Sequence, residues 1–248
     1  MIFTAKLDSA LFRAMIDALA TFLPEARLHL DEDGLHVRAV DTANVAMVVM
    51  HLPREATNLY ELSEPTVIGL DVAKIRSILA TMGKTDEVTL VLDEAGKRLH
   101  IRYGGYEYTV ALIAESTIRK DPKEPEIDLP VEVDVPGAVF AEAIRAAVVV
   151  SDRIRIRAIS QEVAIEGIPK DGIQSLRRTL TGTEVTISRC DADASSLFSA
   201  DYLQDIVKTV AKSHTVTISL GNDYPMRIEG DYERVALKYL LAPRIENE

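Results

Sequence analysis

Apolar residues recur along this chain with two periods, and the two periods take turns. Leu11, Phe12, Met15, Ile16 and Leu19 follow Asp8 and Ser9 at spacings of three and four, which predicts a helix capped by Asp8 or Ser9. The spacing returns in Val72, Ile75, Ile78, Leu79 and Met82 after Asp71. It returns again in Val139, Phe140, Ile144 and Val148 after Pro136 and Gly137. A fourth set, Tyr202, Leu203, Ile206, Val207 and Val210, follows Ser199. The starts fall near 9, 71, 136 and 199, so the steps are 62, 65 and 63 residues. Between the helices, polar and apolar residues alternate with period two, as half-buried strands do. Residues 27–30 and 34–40 flank the turn Asp31-Glu32-Asp33-Gly34; 45–52 follow, and the rhythm returns at 153–159 and 163–168.

The halves also match each other directly. Residues 84–92 and 212–220 share one pattern at an offset of 128 (212 less 84), and Tyr106-Glu107 before an apolar strand echoes Tyr232-Glu233 before another. Fixed-period self-similarity predicts two homologous α+β units. Residues 1–115 form one lobe and 131–248 the other. The stretch 116–130 holds Pro122, Pro125 and Pro130 among charged residues, so it reads as an extended connector. Ile127 and Leu129 are apolar within it, which a purely solvated linker does not need.

Composition bounds the rest. The 248 residues are 47% hydrophobic and 27% charged, enough for a substantial core and a solvated surface. No run of about 18 apolar residues is present, so no membrane span is expected. The N-terminal stretch lacks a basic segment followed by a long apolar run, so it does not read as a secretory signal. Cys190 is the single cysteine and reads as a strand-end residue, which excludes an intramolecular disulfide and fits a reducing cytoplasm. The formal charge of −11 opposes nucleic-acid binding by bulk attraction. Any DNA role must use local charge placement or another means.

Catalytic and metal motifs are mostly missing. Gly83-Lys84-Thr85 resembles the end of a P-loop, but Ile78 stands where the first glycine is needed, and the fragment ends a helix instead of starting one. It reads as a glycine C-cap. His29, His36, His51, His100 and His214 are scattered over strands and read as solvated. Val40 stands where a calcium loop after Gly34 would need its bidentate Glu, so Asp31, Glu32 and Asp33 read as a hairpin turn. Asp191 and Asp193 read as solvated loop acids. No metal, cofactor or catalytic constellation is expected. Arg153, Arg155 and Arg157 alternate with Ile154 and Ile156, which puts three arginines on one strand face. That row is either a phosphate-contacting stripe or a solvated sheet face, and the acidic remainder of the chain favours the second.

Two segments carry a family resemblance. Gly34-Leu35-His36-Val37-Arg38-Ala39-Val40-Asp41-Thr42-Ala43-Asn44-Val45-Ala46 and the tail Leu240-Leu241-Ala242-Pro243-Arg244-Ile245-Glu246 resemble the corresponding stretches of the proliferating cell nuclear antigen family. The first helix, the Pro-rich connector and the two-fold repeat sit where that family has them, and length and connector resemble archaeal members. The resemblance covers essentially the whole chain. It implies the DNA clamp fold: a homotrimeric ring of six lobes, with sheets on the outer face, helices on the inner face, and duplex DNA held without sequence preference. Such a ring is not an enzyme. It confers processivity on DNA polymerase and docks a clamp loader ATPase, flap endonuclease and DNA ligase through short peptide motifs, in a cytoplasmic, nucleoid-associated setting. Arg13, Lys74, Arg76, Lys84, Arg145, Lys208 and Lys212 are the DNA-facing candidates. Ala14, Ala20 and Ala80 stand where some members have lysine, so a weakly basic lining is expected.

The resemblance further implies a partner-peptide pocket formed by Val40, Asn44, Val45, Met47, Ile127, Leu129, Pro225, Leu240, Leu241, Ala242, Pro243 and Ile245. A ring closed head to tail would pair the strand near 102–110 with the strand near 173–180 of the next subunit. Tyr106 would supply aromatic packing there, Ile173, Leu176 and Leu180 apolar area, and Arg177 and Arg178 ion pairs to acids opposite. The same residues support two alternatives: a subunit of a heteromeric clamp, and an enzyme of nucleic-acid metabolism on a repeated α+β fold.

Overall fold

The computed structural model describes residues 2–83, 86–93, 97–159, 162–169 and 174–245. The chain divides into two units: Met1–Asp41 with Val48–Lys123 and Glu233–Leu237, and Thr42–Met47 with Glu124–Tyr232 and Lys238–Glu248. Strand–helix–strand order is the same in both halves. The first half runs β1 (Phe3–Asp8), α1 (Ser9–Leu19), β2 (Glu25–Leu30), β3 (Gly34–Val40), β4 (Ala46–Pro53), β5 (Leu59–Leu62), β6 (Thr66–Asp71), α2 (Val72–Leu79), β7 (Glu87–Leu92), β8 (Arg98–Tyr103) and β9 (Tyr106–Ala111). The second runs β10 (Val131–Pro136), α3 (Gly137–Val148), β11 (Arg153–Ile159), β12 (Glu162–Gly167), β13 (Leu176–Leu180), β14 (Thr186–Cys190), β15 (Ala194–Ser199), α4 (Ala200–Val210), β16 (Thr215–Leu220), β17 (Met226–Tyr232) and β18 (Val235–Leu241).

The offset of 128 holds for the starts of β1 and β10, α1 and α3, β2 and β11, β3 and β12, β6 and β15, α2 and α4, β7 and β16, and β8 and β17. Strand order follows it: β5-β1-β7-β8-β9 repeats as β14-β10-β16-β17-β18, and β4-β3-β2-β6 as β13-β12-β11-β15. The repeat reaches single hydrogen bonds. The first amide of α2, Val72 N, donates to Pro24 O at 3.0 Å, and the first amide of α4, Ala200 N, donates to Asp152 O at 3.0 Å. Both donors and both acceptors are 128 residues apart (200 less 72, 152 less 24). These carbonyls satisfy one of the amides that every helix start leaves unpaired.

Each unit pairs its two helices, α1 with α2 and α3 with α4, and lays them on its strands. Phe12 and Ile16 of α1, like Phe140 and Ile144 of α3, are at most 1% exposed. Burying one such side chain stabilises by about 1.5–3 kcal/mol, so these faces fix the helices on the sheets. Of the expected caps, Asp71 accepts from Lys74 N at 2.8 Å. Asp8 makes no side-chain cap bond; Ser9 Oγ donates to Gly83 O at 2.8 Å instead. Helix α2 ends at Leu79, so Met82 falls in the turn beyond it.

Two details correct the sequence reading. Tyr106 opens β9 and is 63% exposed, whereas Tyr232 closes β17 and is buried. Its true counterpart is Tyr103, the buried last residue of β8. Nor do the histidines simply face solvent: His29 Nε2 lies 2.8 Å from Asp121, His36 Nε2 lies 3.0 Å from Asp31, and the His36 and His51 rings stack at 4.2 Å. Among the described residues no cluster of His, Cys, Asp or Glu suits a metal, and no helix is long and apolar enough to cross a membrane.

Candidate functional site

In the second unit the connector is strapped down residue by residue. Lys238 Nζ pairs with Glu124 Oε1 at 2.8 Å and Glu229 Oε1 at 3.4 Å. Arg227 Nη2 donates to Ile127 O at 3.3 Å, Arg189 donates to Leu129 O, and Asp191 N donates to Pro130 O at 3.0 Å. The hydrogen bond to Glu124, reinforced by the Glu229 charge, holds the Lys238 ammonium above the usual lysine range. Proline explains why this stretch needs such outside partners: it cannot donate to a ladder, so the extended chain must be tied by side chains.

The tail is fixed in the same unit. Ala242 N donates to Val45 O at 2.8 Å, just past β18 and just before β4. Arg244 N donates to Leu197 O at 2.7 Å, and Arg244 Nη1 donates to Asp152 O at 3.2 Å. A cleft of about 620 Å³ opens between connector and sheet, lined by Glu124, Pro125, Glu126, Ile127, Asp128, Arg227 and Leu240. It has an apolar centre, Ile127 and Leu240, beneath a carboxylate-rich rim. Such a surface suits an extended segment with an aliphatic or aromatic anchor.

Of the expected pocket residues, the structure brings Ile127 and Leu240 into this cleft and joins Ala242 to Val45. Asn44 is exposed and Val45, Met47, Pro225, Ala242 and Pro243 are half-buried in the second unit, while Ile245 is 79% exposed. Val40 belongs to the first unit. Two residues are corrected: Leu129 and Leu241 are fully buried, so they support the surface and present none of it. Sequence reasoning missed Arg227 and Tyr224. Arg227 was legible, because Met226, Arg227 and Ile228 alternate and only 226 and 228 point to the core. Tyr224 follows Asp223 in a left-handed turn and is 55% exposed beside Pro225; no periodicity marks it. Asn222 holds that turn, its Oδ1 accepting from Ser195 N at 2.8 Å.

The basic candidates fare unevenly. Lys74, Arg76, Arg145, Lys208 and Lys212 are exposed on or just past helices. Arg76 lies 3.7 Å from Asp17 and Lys208 2.6 Å from Asp205. Lys212 Nζ sits over the Tyr232 ring, 2.8 Å from its hydroxyl. Arg13 is half-buried and donates to Leu79 O at 2.8 Å, where it caps the end of α2. Lys84 lies outside the described residues. Ala14 is fully buried, so lysine could not stand there without disrupting the core; Ala20 and Ala80 are accessible.

Strands β9 and β13 are both sheet edges. Tyr106 is exposed on β9 and Leu176 half-exposed on β13, but Leu180 is fully buried and cannot supply contact area. The arginines are already paired within the sheet: Arg177 with Glu162 at 3.1 Å and Glu166 at 3.2 Å, Arg178 with Glu184. Ile173 lies outside the described residues. On the opposite edge, Arg102 lies 3.1 Å from Glu107 and its hydrogen bond holds that carboxyl below the usual range.

The N-terminal domain of proliferating cell nuclear antigen matches residues 2–107 and its C-terminal domain residues 123–245. The DNA polymerase sliding clamp of Methanocorpusculum labreanum is 45% identical over 245 residues, 98% of each chain. That of Archaeoglobus fulgidus is 37% identical over 240 residues, 96% of each chain. An A. fulgidus proliferating cell nuclear antigen solved with the C-terminal region of FEN-1 matches at a TM-score of 0.91 and 34% identity, covering 99% of this chain and 100% of that one. The antigen of Entamoeba histolytica matches at 0.90 with 18% identity over 98% and 99%, a likeness of fold.

Proposed function

The chain belongs to the proliferating cell nuclear antigen family, and from that premise we propose that it is a DNA polymerase sliding clamp that works as a homotrimeric ring. The observation that carries this is the pair of open edges left by the repeat. Strand β9 is the counterpart of β18, and β13 of β4. The end of β18 already meets the start of β4 through Ala242 N and Val45 O. The same meeting between β9 and the β13 of a second copy is head to tail, so it repeats until a ring closes. Tyr106 is the anchor of that contact. Because Arg177 and Arg178 are paired at home, they add shape and solubility there more than attraction.

The ring serves as a processivity factor and has no catalytic role of its own. Lys74, Arg76, Arg145, Lys208 and Lys212 face duplex DNA and touch phosphates without reading bases. Partners dock by short peptides in the connector cleft, with Ile127, Leu240, Val45 and Pro225 as the apolar contacts. The flap endonuclease is the partner best supported, through the A. fulgidus complex with FEN-1. DNA polymerase, the clamp loader ATPase and DNA ligase use the same cleft, in the cytoplasm beside the nucleoid.

Sedimentation equilibrium tests the reading. The expected mass is about three times 27.3 kDa. Tyr106→Ala should shift it to smaller species at low concentration. A wild-type mass of one or two chains at all concentrations would overturn the homotrimer and favour a heteromeric ring.

A further inference from the structure

The row Arg153, Arg155 and Arg157 on β11 has no role in ring closure or peptide docking. Its opposite face is core: Ile154 and Ile156 are at most 1% exposed. The three guanidiniums therefore share the outward face, at intervals of about 6.8 Å along a straight strand. Register places Glu166 beside Arg155 on β12, with Glu162 on the same face. Both carboxylates are engaged by one neighbour, Arg177 of β13, at 3.2 and 3.1 Å. The face thus carries four arginines against two glutamates, on a chain of formal charge −11. Its apolar members give a protein partner little to bury: Ala164 and Leu197 are already covered, and Ile159 is half-buried at the strand end. Protein interfaces need apolar or aromatic anchors, whereas phosphate contacts do not.

We infer that this face binds the phosphate backbone of single-stranded DNA. Arginine's planar fork suits phosphate oxygens. A duplex backbone winds away from a straight row, while a single strand lies along it. No described aromatic ring stands on the face, so bases are not stacked, and the contact is weak, salt-sensitive and blind to sequence. The surface is separate from the helices that face duplex DNA, and it does not depend on ring closure.

Fluorescence anisotropy of labelled oligo(dT) with the full-length protein, over a series of KCl concentrations, tests this. The comparison is with Arg155→Gln/Arg157→Gln and with Arg157→Gln alone, which alters an exposed side chain and keeps the fold. Loss of two phosphate contacts should weaken binding about tenfold at low salt and flatten the log–log salt slope by about 1.4; the single variant should flatten it by about 0.7. Retention on closed circular duplex should be unchanged in both variants, which separates this surface from the clamp function. The inference fails if wild type does not bind oligo(dT) at low salt, if the variants keep the wild-type slope, or if polyglutamate displaces nothing yet binds the face more tightly than oligo(dT).

Discussion

Leu241 and Val45 stand near each other in the candidate site, yet substitution should separate them cleanly. Leu241 is fully buried and Val45 is half-exposed. Leu241→Glu places an unpaired carboxylate in the core, at a cost of several kcal/mol, so the fold is lost along with peptide binding. Val45→Glu should leave the thermal transition within a few degrees of wild type and abolish binding of a FEN-1 C-terminal peptide in calorimetry. Unchanged affinity in Val45→Glu would move the docking site elsewhere. The alternation of β18 and the apolar tail were legible in the sequence; which leucines lie beneath the connector was not, because that depends on long-range straps such as Arg227 to Ile127. One strap is pH-sensitive. The raised pKa of Lys238 means that its contribution to stability is complete below the ordinary lysine value of 10.5 and fades as pH rises through the raised one. Tyr60, pushed up to about 12 by burial, acts in the same direction. Amide exchange in the connector should therefore accelerate above pH 10.5 beyond the intrinsic rate, and Lys238→Gln should remove that rise. A wild-type connector whose protection is flat through this range would contradict the role given to the Lys238–Glu124 pair.

At the scale of elements, the repeat was legible because helix spacing and strand alternation are local properties of sequence. The helix starts shifted by at most one residue from those expected. Edges and registers were less accessible. Tyr106 was matched to Tyr232 by local similarity, but hairpin geometry matches Tyr103 to it, through the turns at Gly104-Gly105 and Glu233-Arg234, whose φ angles are all positive. The two halves differ most instructively at the start of their first helices. Ser9 occupies the position in α1 that Gly137 occupies in α3. A Cβ on Gly137 would lie 2.3 Å from Val210 O and 2.5 Å from Ser213 O, so α3 and α4 sit closer there than any side chain allows. Gly137→Ala sets two effects against each other. Alanine favours a helix interior by at most about 1 kcal/mol, and less at a first position. Overpacking against backbone that cannot rotate away costs about 1–3 kcal/mol. The clash should win, and the denaturant midpoint should fall. A midpoint equal to or above wild type would mean that the helix pair yields easily.

The whole molecule must reconcile a charge of −11 with a task on DNA. The solvent-facing helical positions resolve part of this: Lys74, Arg76, Arg145, Lys208 and Lys212 stand against Asp17, Glu142, Asp201 and Asp205, so these faces are near neutral or slightly basic while the rest of the surface is acidic. Several of those cations are already engaged, Arg76 with Asp17, Lys208 with Asp205 and Lys212 with Tyr232. Few are left to hold phosphates strongly, and a protein neutralising six to ten phosphates would in any case lose about 10³–10⁵ in affinity between 50 and 200 mM salt. Attraction therefore cannot be what keeps this chain on DNA. A closed ring needs none: once threaded, it leaves only when an interface opens or a DNA end passes through. The expected outcome is specific. Protein placed on closed circular duplex by a loader should stay bound through a wash of about 0.5 M salt that strips ordinary phosphate-binding proteins. After linearisation of the same circle it should run off within minutes, and blocking both ends with bulky protein caps should restore retention. Tyr106→Ala, which weakens the interface and leaves the helical faces untouched, should shorten the lifetime on circles. Equal retention on circular and open linear duplex would mean that contacts, not topology, hold the protein, and the ring would then have no part in its function.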